Sequence, residues 1–192
     1  MAGAEGPVRE RVLAAASRLF YEQGIAAVGM DALRDRAAVS MKSIYREFGS
    51  KEALVHAYLA RRDDEWMTWL AGRMEDERRG PRPRLLALFD ALDTWFASPG
   101  FAGCAFINAF GEAAGEGAVA SQATAHKRRL QGLVSDLATQ VDPARAPELT
   151  DQLMLLIEGA IVRASVGQRR DAARTARAVA EHVLDGPEAR TD

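Results

Sequence analysis

The chain has 192 residues, of which 48% are hydrophobic and 27% are charged. This composition is typical of a globular protein with a substantial core, and it excludes a disordered chain. The formal net charge of −2 does not favour a nucleic-acid partner by itself. However, five basic residues between Arg34 and Lys51 face only Asp35 and Glu47, and contact with phosphates requires only such a local patch.

The chain carries no sign of a membrane span or of a cysteine framework. Its first residues, MAGAEGP, lack a basic stretch followed by an apolar run, so we expect no signal peptide. The longest apolar candidates, 101–110 and 153–157, fall far short of the roughly 20 residues that span a bilayer. Cys104 is the single cysteine, and the three histidines are dispersed. We therefore expect a cytoplasmic protein, with neither a metal nor another cofactor.

Helical periodicity extends through nearly the whole chain, and no segment alternates apolar and polar residues as a half-buried strand does. In the first segment Val12, Ala16 and Phe20 recur at helical spacing, while Pro7 suits the first turn and Gly24 the end. Three short helices and six longer ones are predicted, over approximately 7–23, 30–37, 41–47, 51–78, 84–97, 104–114, 119–140, 147–166 and 171–184.

An ordered set of motifs lies between Arg11 and Tyr58. It comprises Ala16-x-x-Leu19-Phe20 with Gly24, then Asp31-Ala32-Leu33, then Ala37-Ala38-Val39-Ser40, and the most specific piece, Ile44-Tyr45-x-x-Phe48-x-Ser50-Lys51-Glu52-x-Leu54. This segment resembles the DNA-binding region of the TetR family of bacterial regulators, at a helix-turn-helix spacing. The resemblance covers roughly the first 55 to 60 residues closely and becomes weak beyond them.

The resemblance implies an all-α fold with a helix-turn-helix DNA-binding domain at 1–50, a larger helical ligand-binding and dimerisation domain at 51–185, and a tail at 186–192. Two residues depart from the family pattern. Ala38 stands where the family usually has the glycine of the turn, so we expect strain from a positive φ and a slightly different turn. Lys42 stands where glycine is frequent, and it adds a charge at the DNA-facing surface.

A recognition helix buries one side and presents the other to the major groove. Val39, Ile44 and Phe48 are the expected buried anchors. The outward residues Met41, Lys42 and Ser43 are candidates for contact with base edges. By the resemblance, Tyr45 and Lys51 contact phosphates, and Met30 matches a backbone-contact position. The predicted DNA-binding residues are Met30, Ser40, Met41, Lys42, Ser43, Tyr45, Arg46 and Lys51.

Less specific interpretations of these side chains remain open. Lys42 and Arg46 are also explained as ordinary solvated charges. Tyr45 is also explained by packing on the first helix, and Lys51 by a helix-start pair with Glu52. The ordered motif around them favours contact with DNA.

Aromatic residues concentrate in the second half, and by family analogy we expect an apolar effector pocket there with a polar anchor. The predicted effector-binding residues are Trp66, Trp69, Trp95, Phe101, Phe106, Asn108, Phe110 and Glu158. Aromatic stripes at helical spacing are, however, most often core. Glu158 interrupts an apolar run, and a carboxylate there requires a partner or water. Three alternatives are open: a polar group of a ligand, an arginine such as Arg163, or solvent.

The eighth predicted helix is apolar on more than one face. Leu149, Leu153, Leu156 and Ala160 form one line, and Met154, Ile157, Ile161 and Ala164 another. The ninth carries a stripe of small residues: Ala172, Ala176, Val179, Ala180 and Val183. As in the family, two such helices from each subunit would form a four-helix dimer interface. Burial of both helices within their own chain is the alternative.

These features together predict a homodimeric regulator that binds a near-palindromic operator in double-stranded DNA and is released from it by a small molecule. Activation in place of repression stays open. A helical scaffold that binds a protein partner is the main alternative. A small helical enzyme is the weakest alternative, because the chain has no G-x-S-x-G, no phosphate-binding glycine loop and no H-E-x-x-H motif. We therefore expect no enzymatic activity.

Overall fold

A computed structural model describes residues 6–75 and 80–186, and within these ranges the regular structure is α-helical throughout. The helices are α1 (Val8–Gln23), α2 (Met30–Ala37), α3 (Met41–Phe48), α4 (Lys51–Met74), α5 (Pro81–Ala97), α6 (Ala105–Glu112), α7 (Gly117–Val141), α8 (Ala146–Ser165) and α9 (Ala172–Asp185). The predicted all-α fold is confirmed. None of the described helices combines the length and the apolar character needed to cross a membrane.

Two predicted helix boundaries are wrong. Helix α4 ends at Met74 and not near Arg78, and Arg84 Nε donates a hydrogen bond of 3.0 Å to the carbonyl of Met74, the last residue of the helix. Helix α5 begins at Pro81 and not at residue 84, because the first turn of a helix tolerates proline, whose missing N–H is not needed there. Two expectations fall mainly on residues outside the described ranges. The expected lack of a signal peptide concerns residues 1–5, and the expected tail concerns residues 187–192.

The chain divides into two compact units. The first comprises Met1–Glu65 and Cys104–His126, and the second comprises Trp66–Gly103 and Lys127–Asp192. Helices α4 and α7 each contribute residues to both units. The predicted division at residue 50 stays a prediction.

In the first unit the core forms where α1 packs against α2 and α3. Phe20 of α1 meets Tyr58 of α4 edge to face at a centroid separation of 5.4 Å. Burial raises the pKa of Tyr58 to about 12, because the phenolate would lose its hydration. Of the anchors predicted for α3, Ile44 and Phe48 are buried and Val39 is half-buried.

The turn between α2 and α3 keeps a left-handed residue although that residue is alanine. Ala38 has φ 51° and ψ 48°, and its N–H donates to the carbonyls of Arg34 and Asp35. The Arg11 guanidinium donates to the Ala38 carbonyl. The expected positive φ is therefore present, and the surrounding hydrogen bonds hold the alanine in a conformation that costs an L-residue about 1–2 kcal/mol.

Replacing Ala38 with glycine should raise the free energy of unfolding by about 1 kcal/mol, because glycine adopts a left-handed conformation without steric penalty. Urea unfolding at a fixed protein concentration measures the change. Ala14→Gly is the matched control, since Ala14 is exposed within α1, and glycine there should lower the same free energy by about 0.5–1 kcal/mol. A loss of stability in Ala38→Gly would contradict the assigned strain.

In the second unit α9 packs against both α5 and α8. Helix α5 supplies large buried side chains, including Leu88, Phe89 and Phe96. Ion pairs also join α9 to α5. Arg174 Nη1 lies 3.0 Å from Asp93 Oδ1, and Arg177 Nε lies 3.0 Å from Asp90 Oδ1. These pairs are partly exposed, so each contributes little to stability, and burial of the apolar surface holds the helices together.

Candidate DNA-binding and effector sites

Helix α3 begins with an N-cap. The Ser40 Oγ accepts a hydrogen bond of 3.1 Å from the Ser43 N–H, and the two hydroxyl oxygens lie 2.8 Å apart. The cap satisfies one of the amides that a helix start leaves open. Ser40 and Ser43, both predicted DNA contacts, thus also define where the helix begins.

The side of α3 opposite its buried anchors faces solvent. Lys42 and Arg46 are exposed, and the Tyr45 side chain is 47% exposed. Arg46 Nε lies 3.8 Å from Glu47 Oε1, and such an exposed pair leaves the guanidinium accessible. Met41 and Ser43 are half-buried at the N-terminal end of the helix. One face of α3 therefore carries cationic and phenolic groups that no core contact requires.

The basic patch expected from the sequence carries less positive charge than its five basic residues suggest. Arg34 lies 2.7 Å from carboxylate oxygens of both Asp31 and Asp35, and the hydrogen bond to Asp35 is the largest cause that raises the pKa of the guanidinium. Its charge is therefore offset locally. Lys42, Arg46 and Arg36 are exposed cations of this segment.

Lys51 begins α4, and its Nζ donates a hydrogen bond of 2.8 Å to the Ile25 carbonyl in the turn between α1 and α2. Its neighbour Glu52 has a lowered pKa, chiefly because the carboxylate accepts a backbone hydrogen bond and also one from Ser50. Met30 is half-buried and is the first residue of α2. The contact of Lys51 with this turn joins residues 26 positions apart, and no local sequence pattern predicts it.

Four predicted effector residues meet in the second unit. Ring centroids of Trp66 and Trp69 lie 6.5 Å apart, those of Trp66 and Trp95 5.7 Å, and those of Trp95 and Phe101 5.0 Å. Phe96 completes this aromatic cluster at 5.0 Å from Phe101. The rings pack on one another as a core does.

Three other predicted effector residues belong to α6 in the first unit. Phe106 stacks on His126 at 3.8 Å with the ring planes 10° apart, and His126 Nδ1 lies 2.6 Å from Asp63 Oδ1. Asn108 and Phe110 are exposed. Phe106 is therefore a packing residue, whereas Asn108 and Phe110 face outward.

Glu158 pairs with a residue that sequence reasoning missed. Lys127 Nζ of α7 donates to both carboxylate oxygens of Glu158, at 2.8 and 2.9 Å. The two residues lie 31 positions apart on different helices, and no local pattern indicates such a pair.

An open groove of about 420 Å³ lies between α7 and α8 in the second unit. It is lined by mostly polar or small residues: Gln131, Ser135, Thr139, Pro143, Ala146, Pro147, Thr150 and Asp151. None of the predicted effector residues lines it.

Comparisons with known proteins agree with this architecture. Residues 12–58 match the model of the family described as bacterial regulatory proteins, tetR family. The HTH-type transcriptional regulator YjdC of Escherichia coli (strain K12) is 28% identical over 180 residues, which cover 92% of this chain and 93% of that protein. The HTH-type transcriptional activator FasR of Mycolicibacterium smegmatis is 35% identical over 88 residues, covering 44% and 40%.

The crystal structure of a TetR-family transcriptional regulator from Streptomyces coelicolor has a TM-score of 0.86 to this chain at 28% identity, over 93% of this chain and 94% of that one. The all-helical fold, the exposed face of α3 and these similarities define a helix-turn-helix, DNA-binding transcriptional regulator. Residues 12–58 match the DNA-binding region of the TetR family of bacterial regulatory proteins, and the chain as a whole is similar to a TetR-family regulator over 93% of its length.

Proposed function

We propose that this protein is a cytoplasmic repressor that binds a near-palindromic operator as a homodimer and is released by a small molecule. One observation carries the DNA-binding part: α3 buries Ile44 and Phe48 and leaves Lys42, Tyr45 and Arg46 toward solvent. In this proposal Met41, Lys42 and Ser43 read base edges. Ser40, Tyr45, Arg46, Lys51 and Met30 contact the phosphate backbone.

The proposed mechanism depends on the distance between two copies of α3. A two-fold dimer places them in successive major grooves, about 34 Å apart. An effector that binds one arrangement of the subunits better than the other shifts the population, and the coupling between the DNA and effector sites is reciprocal. The similarity to FasR, named a transcriptional activator, makes the direction of regulation part of the test.

Lys42→Ala and Arg46→Ala should each weaken operator binding by about 1–3 kcal/mol, and loss of a phosphate contact should also lower the salt dependence by about one unit of slope. Fluorescence anisotropy with DNA from around the protein's own coding region, at low and moderate salt, measures both quantities. A reporter gene behind the same fragment gives the direction of regulation.

Arg128→Ala is the charge-matched control, because Arg128 is exposed on α7, and it should bind the fragment as the wild type does. Equal affinities of all three variants would contradict the placement of the DNA-facing surface. Binding that neither selects one fragment nor weakens with salt would favour the partner-binding scaffold.

The homodimer is supported by an apolar stripe on the outer side of α8. Leu155 is 75% exposed and Val166 81%, with Val162 between them along the helix and Val179 exposed on α9. In contrast Leu149, Leu153, Ile157 and Ala160 of the predicted lines are buried within the chain. Exposed apolar side chains in one stripe are typical of a protein interface, so we propose that this stripe contacts a second copy.

Leu155→Glu should convert the dimer to a monomer and weaken operator binding at least tenfold, because a buried carboxylate without a partner opposes association. Light scattering combined with anisotropy measures both effects. Thr94→Glu adds the same charge at an exposed position of α5, and Leu155→Met keeps an apolar side chain, so both should remain dimeric. A dimeric Leu155→Glu variant would exclude this interface.

The effector part of the proposal places the small molecule at the aromatic residues of the helical half. All three tryptophans of the chain, Trp66, Trp69 and Trp95, belong to one aromatic cluster, so a ligand that enters it should change the intrinsic fluorescence. Compounds that release labelled operator should therefore also shift or quench this emission. Release with unchanged emission would place the effector elsewhere, for example at Asn108 and Phe110 or in the groove between α7 and α8.

A further inference from the structure

The turn between α1 and α2 is held on its amide side by Glu112, the last residue of α6. Glu112 Oε1 accepts a hydrogen bond of 3.2 Å from the Ile25 N–H, and Oε2 accepts one of 2.6 Å from the Ala26 N–H. Two successive backbone amides that converge on an anion form a strong, charge-assisted site. The carboxylate of the chain itself occupies this site.

The turn is also shaped for this approach. Gly24 has φ +88°, and a Cβ at that position would lie 3.1 Å from Glu112 Oε1, so a larger residue would press on the carboxylate. On the carbonyl side of the same turn, Lys51 donates to Ile25 at 2.8 Å. The turn is therefore fixed at its amides by α6 and at its carbonyl by α4.

The position of Glu112 in α6 is electrostatically unfavourable by itself. The C-terminus of a helix carries partial negative charge, and a carboxylate there is destabilising. Glu112 is exposed, so packing does not require it either. The contact with the turn provides the compensating interaction. Helix α6 is in turn anchored by its buried side, through Phe106 against His126 and through Ala109.

We propose that Glu112 is a positioning residue for operator recognition. It holds the segment from which α2 starts, and α2 and α3 follow as one helix-turn-helix, so the contact sets how the recognition helix is held on α1. Glu112 itself contacts no base or phosphate in this proposal. The inference rests on the proposed operator binding.

The sign of one mutational effect separates this role from simple electrostatics. Removing a carboxylate from a DNA-binding unit reduces repulsion of phosphates, so charge alone predicts tighter binding. Loss of the positioning contact predicts weaker binding. Glu112→Ala should therefore weaken operator binding about threefold to tenfold, the range expected for charge-assisted hydrogen bonds at an exposed site. Glu112→Gln keeps an acceptor oxygen and should lose less.

Glu116→Ala is the matched control, because Glu116 is an exposed glutamate just beyond α6, and it should bind operator as tightly as the wild type or slightly tighter. The salt dependence of Glu112→Ala should equal that of the wild type. Amide hydrogen exchange at Ile25 and Ala26 should accelerate at least tenfold in Glu112→Ala and stay unchanged in the control.

Unchanged or tighter operator binding by Glu112→Ala would overturn the positioning role, as would an equal loss in Glu116→Ala. Unchanged exchange at Ile25 and Ala26 would overturn the contact itself. If the wild type binds no operator, the proposed function and the positioning role both fail, whereas the exchange measurement still decides whether the contact exists in solution.

Discussion

The burial of two side chains of α3 is the constraint on which DNA recognition depends. A helix of eight residues is too short to be stable alone in water, so α3 exists only where Ile44 and Phe48 are buried beside α1. The same packing dictates which residues remain outside. Lys42, Tyr45 and Arg46 face solvent because their neighbours at helical spacing do not, and the surface available to DNA follows from the core beneath it.

Local features of the DNA-binding half were predictable from the sequence because each depends on residues close together in the chain. The N-cap at Ser40 depends on Ser43, three positions away, and the strained turn depends on the single alanine at position 38. The predicted start of α5 at residue 84 is wrong for a local reason too, since Gly80-Pro81 is typical of a break between helices, although proline is well tolerated in a first helical turn.

Long-range pairs were not predictable. Glu158 and Lys127 lie on separate helices, and Glu112 reaches amides 86 and 87 positions earlier in the chain. Periodicity indicates that a side chain is buried or exposed, but it does not specify the partner. For the same reason the sequence indicated that aromatic residues of the helical half would gather. It did not indicate that Trp66, Trp95 and Phe101 would pack on one another.

The apolar pattern of helix α8 is the sequence feature that bears on the proposed homodimer. A helix that is apolar around most of its circumference requires cover on both sides. One side is covered within the chain, where Leu153 and Ile157 are buried and α9 packs alongside. The other side exposes Leu155 and Val166 among the described residues, and burying these side chains against a second molecule would gain free energy. In the proposed homodimer a second copy would present the same apolar stripe, and two-fold symmetry would place each stripe against itself. The proposed near-palindromic operator would then match the two-fold symmetry of this assembly.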